Sequence, residues 1–179
     1  NYLFNSSING IEETDLIFLI GTNPRFEATI VNSRIRKAFL TNNTEIISLN
    51  DVGDLTYPYK SLDGKTQTIK DIIENKHDLS KNILKAKKPI IMLGESFLKI
   101  KSASYLFKSL KNFLIKNNKF TDDWNPLNIL SVDAATVGNF DLDVINMKHD
   151  ILNDLIQNKF ELVYLVGQDN LNFNKKNEF

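Results

Sequence analysis

Few residues of this chain are of a type that does chemistry. Among its 179 residues are two histidines, His77 and His149, and no cysteine. Each histidine stands next to an aspartate, Asp78 or Asp150, in a polar stretch flanking a helical pattern. A metal centre or a catalytic triad needs more converging partners than that, so both read as surface histidines. The lack of cysteine excludes disulfides, thiolate nucleophiles and cysteine-held iron–sulfur or zinc sites from this stretch. Asp122-Asp123 and the aspartates at 141 and 143 lack the spacing of a calcium loop. Ser96 follows an apolar run but has neither the flanking glycines of a nucleophile elbow nor a base to serve it. No catalytic residue and no metal ligand is therefore assigned.

One turn has the composition of a binding site. Leu16-Ile17-Phe18-Leu19-Ile20 ends at Gly21, and Thr22-Asn23-Pro24-Arg25 then opens a helix. Asn23 is suited to an N-cap, Pro24 to the first helical position, and Glu27 to the positive end of the helix dipole. Unpaired amides converge at such a strand-to-helix turn and bind anions. The dinucleotide fingerprint, however, requires three glycines, and only Gly21 is present; a phosphate-loop lysine is missing as well. The plainer reading is a structural turn, with Gly21, Thr22, Asn23 and Arg25 marking a vestigial pocket. The long loop from Asn50 to Lys65 carries Leu55, Tyr57, Pro58 and Tyr59, which are expected to fill the space above the strand ends or to pack against a partner.

All three arginines, Arg25, Arg34 and Arg36, fall in this opening unit, although lysine is the usual cation elsewhere. Lysine cannot reproduce the guanidinium fork, so these positions suggest fixed ion pairs or a polar contact surface, against the alternative of chance clustering. Glu27, Asp51 and Asp54 are the local acceptors expected for them. Asp54, Tyr57 and Tyr59 join the arginines as structural or interface candidates.

The elements that would position these residues follow from periodicity. An unbroken apolar run indicates a strand covered on both faces. The pattern predicts strands at 16–20, 45–49, 90–93 and 162–166. A helix runs from Pro24 to about Leu40 with Phe26, Ile30, Val31, Ile35, Ala38 and Phe39 inward and Asn32 outward. Further helices are expected around Ile69–Ile73, Leu79–Ala86, Ala103–Leu114 and Ile151–Ile156, and loosely across Trp124–Asp143. This alternation predicts one α/β domain over 1–179, a mostly parallel sheet with helices on both faces. The turns after Gly21, Leu49, Gly94 and Gly167 would line one edge, where a ligand is expected.

Hydrophobic residues make up 42% of the chain, enough for a sizeable core, and 22 acidic residues balance 22 basic ones. That balance gives no reason to expect nucleic acid or an anionic membrane surface as a partner. No run approaches the roughly 20 apolar residues of a membrane span. Abundant Asn, Lys, Ile and Phe suggest an AT-rich, organelle-like genome. A start at Asn1 suggests a fragment or a separately encoded half of a larger subunit.

Asn1-Tyr2-Leu3, Gly10-Ile11-Glu12-Glu13-x-Asp15, the run from Leu19 through Gly21-Thr22-Asn23-Pro24-Arg25-Phe26-Glu27-Ala28, and Asn32-x-Arg34-Ile35-Arg36-Lys37 together resemble a known family. It is the C-terminal half of the large iron–sulfur subunit of respiratory complex I, the NADH:ubiquinone oxidoreductase, a region similar to molybdopterin oxidoreductases. Asp54-Leu55-Thr56-Tyr57-x-Tyr59, Ala86-Lys87-Lys88-Pro89 and Trp124-Asn125-x-x-Asn128-x-Leu130 extend the likeness. The resemblance implies a molybdopterin-oxidoreductase-like, Rossmann-like domain that kept its fold and lost its cofactor. It would serve as a non-catalytic scaffold in the peripheral arm, supporting NADH-to-ubiquinone electron transfer by cofactors on other polypeptides. The 2Fe-2S and 4Fe-4S clusters would sit on the N-terminal half of the parent subunit. Partners would be that half and neighbouring peripheral-arm subunits, with membrane association only through the complex. The location implied is the matrix side of the mitochondrial inner membrane, or the cytoplasmic face of a bacterial plasma membrane. In molybdopterin enzymes the second strand usually ends in Asp-Pro-Arg, whereas here Leu49-Asn50-Asp51-Val52 follows. The alternative is a cofactor-binding α/β domain of a molybdopterin or thiamine-diphosphate enzyme, the latter because the run from Ala86 to Gly94 is similar to the central domain of those enzymes.

Overall fold

Five consecutive buried side chains, Leu16–Ile20, make strand β1 the axis of the structure. The computed structural model describes residues 3–133, 135–144 and 151–164. β1 pairs in parallel with β2 (Glu45–Ser48) on one side and with β4 (Pro89–Leu93) on the other. A two-residue β3 (Lys60–Ser61) adds to β2, and β5 (Leu127–Ile129) adds to β4. The result is a five-stranded parallel sheet of order β3-β2-β1-β4-β5.

Because β1 alternates faces, it feeds two cores. Leu16, Phe18 and Ile20 pack with residues of helices α3 (Thr66–Ile73), α4 (Asp78–Lys85) and α6 (Ala103–Lys116). Ile17 and Leu19 pack with Val31, Ile35 and Ala38 of α2 (Thr29–Asn42) and with Ile11 of a 3₁₀ turn, Asn9–Glu13. Helices therefore cover both faces, as a fully apolar central strand requires.

The opening helix is in fact two. Pro24–Glu27 forms a short α1, and Ala28, at φ −154° and ψ 76°, breaks it from α2. The break resets the helical phase and overturns part of the expected stripe. Phe26 is 78% exposed and Ile30 67%, while Asn32 is buried. His77 is not merely a surface histidine: it is the N-cap of α4, its Nδ1 accepting from the Leu79 amide at 3.1 Å.

The stretch from Trp124 holds a strand where a helix was expected. Asn128 interrupts the apolar run and hides β5 from a periodicity reading. In the structure it is wholly buried and satisfied, its Oδ1 accepting from the Ser6 amide (2.8 Å) and its Nδ2 donating to Ser6 Oγ (2.9 Å). Leu3 O accepts from the Ile129 amide, and Asn5 Nδ2 donates to Leu127 O, so the N-terminal segment covers the β5 edge. Covering an edge removes its tendency to pair with foreign strands. Among the described residues of this region, only Thr136–Asp141 (α7) is helical.

Residues 162–164, the described part of the expected fourth strand, form no strand, and Leu165 to Gly167 lie outside the described residues, as does His149. The described residues fall into two units, one up to Gly138 and one from Asn139 onward that contains α8 (Ile151–Ile156). Between α4 and α6 lies a four-residue helix, α5 (Glu95–Leu98), directly after β4.

Candidate functional site

In a sheet of this order the strand connections reverse direction between β1 and β4, and a ligand crevice is expected beyond their C-terminal ends. The residues there meet one another instead. Gly21, at φ +64°, lies so close to α5 that a Cβ on it would be 2.5 Å from the Phe97 backbone nitrogen. A Cβ on Gly94 would fall 2.2 Å from Gly21 O and 2.6 Å from Thr22 Cβ. The two exit turns are thus in backbone contact, and Thr22 and Phe97 are each 3% exposed.

The helix start offers little to an anion. Asn23 Oδ1 accepts from the Arg25 amide at 3.1 Å, and Asn23 O accepts from the amides of Phe26 (3.1 Å) and Glu27 (3.0 Å). Pro24 has no amide to give. Thr22 Oγ1 donates to Glu27 Oε2 at 2.6 Å, which fixes a carboxylate beside the amides an incoming anion would need. The predicted pocket residues Gly21, Thr22, Asn23 and Arg25 thus come together in one turn, where Asn23 caps the Arg25 amide, Thr22 bonds Glu27 and the Arg25 side chain reaches Asp54.

The 50–65 loop wraps over this turn without roofing the strand ends. Asn23 Nδ2 donates to Val52 O at 2.9 Å. Leu55 is fully buried and Tyr57 nearly so, packed in the α2-side core rather than above the strands. Asn32 ties them down: its Nδ2 donates to Leu55 O (3.0 Å) and its Oδ1 accepts from the Tyr57 hydroxyl (2.7 Å). Burial, with Tyr59 nearby, pushes the Tyr57 phenol far above its ordinary pKa, so it remains a donor. Tyr59 accepts from the Val52 amide at 3.0 Å and lies 2.7 Å from Asp51 Oδ1. That contact, with the Gly53 amide, holds the Asp51 carboxyl below its usual range. The residues closing the strand ends are therefore Thr22 and Phe97, not the loop's rings.

Each arginine grips a different part of this frame through Nη1. Arg25 reaches Asp54 at both the carbonyl (2.7 Å) and Oδ2 (2.6 Å), and Arg36 donates to Thr56 O at 2.9 Å. Both fasten the loop to the opening helices. Arg34 pairs with Glu12, which also holds Lys37 Nζ at 2.7 Å. Lys37 and then Arg34 lower the Glu12 pKa, while the Thr56 amide and then Arg25 lower that of Asp54. Of the three acceptors expected, Asp54 receives Arg25, whereas Glu27 engages Thr22 and Asp51 engages Tyr59. Glu12, Asn32 and Phe97 escaped the sequence reading. Glu12 and Asn32 stand inside the quoted family strings, a signal that was present but carried no chemistry of its own.

Other concavities lie away from this edge. One of about 280 Å³ is lined by Asp15, Leu16, Glu45, Asn82, Lys85 and Ala86, at the opposite, N-terminal ends of β1 and β2. Among the described residues no group of three or more His, Asp or Glu side chains is placed to hold a metal. No helix among them is long and apolar enough to cross a membrane.

Comparison with known proteins gives this geometry its context. The molybdopterin oxidoreductase family pattern matches residues 1–178. The chain is 34% identical, over 99% of its length, to the NADH-ubiquinone oxidoreductase 75 kDa subunit of Reclinomonas americana. It is 33% identical over 96% to the mitochondrial NADH-ubiquinone oxidoreductase 78 kDa subunit of Candida albicans. A third relative, the mitochondrial NADH dehydrogenase iron–sulfur protein 1 of Solanum tuberosum, is 32% identical over 97%. The chain spans about a quarter of the length of these relatives, 26%, 23% and 23% respectively.

The family name raises the question of a pterin dinucleotide, and the residues present do not fit one. A pyrophosphate needs free amides and a backbone that can come close. Here the amides are taken by Asn23, the approach is blocked at Gly21 and Gly94, and the Glu27 carboxylate would repel the phosphates. By sequence match over residues 1–178 and by its parallel α/β sheet, the chain belongs to the molybdopterin oxidoreductase family.

Proposed function

We propose that this chain is a structural domain of the NADH-oxidising peripheral arm of respiratory complex I, with no catalytic residue and no cofactor of its own. The observation that carries the reading is the match of 96–99% of the chain to complex I large subunits. The closed turn at Gly21, Gly94 and Phe97 supports it, since a scaffold gains stability from filling a crevice that an enzyme must keep open. In this role the 2Fe-2S and 4Fe-4S clusters belong to the N-terminal part of the parent subunit. The chain's partners are that part and neighbouring arm subunits, on the matrix side of the mitochondrial inner membrane. Arg25, Arg34 and Arg36, with Asp54, Tyr57 and Tyr59, hold the loop and the opening helices in a fixed shape that those neighbours recognise. Blue-native separation of respiratory membranes followed by peptide identification tests the reading. Co-migration with complex I is expected; recovery only as a free soluble protein, never with the complex, overturns it.

A further inference from the structure

The charge balance of the whole chain conceals a local imbalance. Between Ser96 and Thr121 stand six lysines, Lys99, Lys101, Lys108, Lys111, Lys116 and Lys119, and no acid. Two of them are occupied. Lys99 pairs with Glu95 at 3.1 Å, and Lys119 Nζ donates to the carbonyls of Leu84 (2.6 Å) and Ala86 (2.8 Å). The other four lie on or beside α6, and none has a carboxylate partner among the described residues. Elsewhere lysine is placed differently: Lys37, Lys60, Lys65, Lys76, Lys81 and Lys88 each meet a carboxylate.

A helix face that is merely solvated gains from acids three or four residues from its lysines. On α6 the arrangement is the reverse. Lys108 and Lys111 repel each other at i,i+3, the first turn holds no acid, and Lys101 lies just before the N-terminal end, where the helix dipole disfavours a cation. The neighbouring α3 adds to the imbalance, since Lys70 Nζ stands 6.0 Å from the centre of the Tyr105 ring. The acids nearest it in sequence are engaged locally, Asp71 accepting from Gln67 at 2.9 Å and Glu74 pairing with Lys76.

The face also has a pattern. Tyr105, Lys108, Asn112 and Ile115, all exposed, follow one another at three- and four-residue steps on the side of α6 away from its buried Leu106, Leu110, Phe113 and Leu114. Tyr105 is 62% exposed and Ile115 48%. Cations and apolar surface therefore alternate along a helix about 20 Å long. Carboxylates and apolar side chains at matching steps would complement it in both charge and hydrophobicity. A phosphate-bearing surface fits less well, because arginine's fork reads phosphate better than lysine does, and the three arginines stand elsewhere, each already bonded. A membrane would need the wide apolar side of the helix, which is buried in the core.

We infer that this face of α6 docks an acidic, amphipathic segment of another polypeptide, whose carboxylates meet Lys101, Lys108, Lys111 and Lys116 and whose apolar side chains cover Tyr105 and Ile115. The inference rests on the proposed function only in naming complex I as the assembly that holds the partner.

Lysine acetylation and zero-length carbodiimide cross-linking test it, applied to the isolated chain and to the assembly captured from source membranes through this chain. The four lysines should be acetylated readily in the isolated chain. In the assembly their rates should fall by about tenfold or more, because a packed interface excludes reagent along with water. Carbodiimide should join Lys108 or Lys111 to an Asp or Glu of another polypeptide. A variant carrying Lys108→Glu and Lys111→Glu should unfold at the parent's temperature or above it yet fail to enter the assembly, whereas Lys108→Arg with Lys111→Arg should enter it. Unchanged acetylation in the assembly overturns the inference, as do cross-links confined to this chain or entry of the Glu variant. Binding of the isolated chain to vesicles of equimolar phosphatidylcholine and phosphatidylserine, lost in the Glu variant, would assign the face to a membrane and also overturn it. Shielding of the same lysines by an acidic segment in an assembly other than complex I would uphold the inference and count against the proposed function.

Discussion

Replacing Gly94 by alanine probes the contact that shuts the crevice. Gly94 has φ −92° and ψ 175°, an extended conformation open to any residue, so the substitution carries no backbone penalty of its own. Its added methyl, however, would sit 2.2 Å from Gly21 O, 2.6 Å from Thr22 Cβ and 2.8 Å from Gly21 C. Two of those atoms are backbone, so relief requires the β1 and β4 exit turns to separate by about an ångström. Overpacking of this kind typically costs about 1–3 kcal/mol, and backbone opposition places it at the upper end. At about 2–4 °C per kcal/mol for a chain of this size, the loss is about 4–12 °C in Tm. Urea unfolding followed by circular dichroism supplies the free energy, and calorimetry the temperature. Gly138→Ala is the control, since nothing lies within 4 Å of its Cβ position in α7 and alanine favours the helix. If Gly94→Ala were as stable as the parent chain, the two turns would not be in contact and the argument for a closed site would fail.

Tyr57→Phe should cost about 1–3 kcal/mol, because it leaves Asn32 Oδ1 buried without its donor, and chemical denaturation reads the difference. Arg25→Lys should cost about 0–1 kcal/mol at its exposed pair with Asp54, so a larger loss in the same assay would show the guanidinium shape to be essential. His77→Ala should destabilise α4 by about 0.5–2 kcal/mol while His77→Asn largely restores it, a pattern that a merely solvent-facing histidine would not give. The carboxyls of Glu12, Asp51 and Asp54 have folded pKa values below their ordinary ones. Their contribution is therefore complete above the ordinary carboxylate range of about 4 and is lost as pH falls through the depressed values. Urea midpoints at neutral and acidic pH should show that decline; a midpoint independent of pH across this window would contradict it.

The frame of the fold was legible because its central strands are extreme. Leu16–Ile20 and Pro89–Leu93 leave no room for a helix, and Asn23-Pro24 announces a helix start on local chemistry alone. What failed was decided by distant partners. Asn128 reads as a break in an apolar run until Ser6, far off in sequence, supplies its hydrogen bonds and allows it into the core. Phe26 and Ile30 fit an inward stripe only if the helix is continuous, and the break at Ala28 is a backbone feature that side-chain periodicity cannot register. For the site, Gly21 and Asn23 were identifiable as turn residues. That Phe97 and Gly94 close the turn was not, since nothing in Gly94-Glu95-Ser96-Phe97 says which neighbouring strand it meets. The arginines stand out by residue type in a lysine-rich chain, but Glu12 as the holder of Arg34 depended on how the 3₁₀ turn packs beside α2.

The most direct test of the central claim is a density map of the intact assembly at side-chain resolution, combined with molybdenum and tungsten analysis of the same sample. The account predicts Phe97 packed against Gly21, Glu27 bonded to Thr22, and no molybdenum or tungsten in the sample. An open cleft between the β1 and β4 exit turns, holding pterin density alongside Gly21 to Arg25, would contradict both the closed site and the scaffold role.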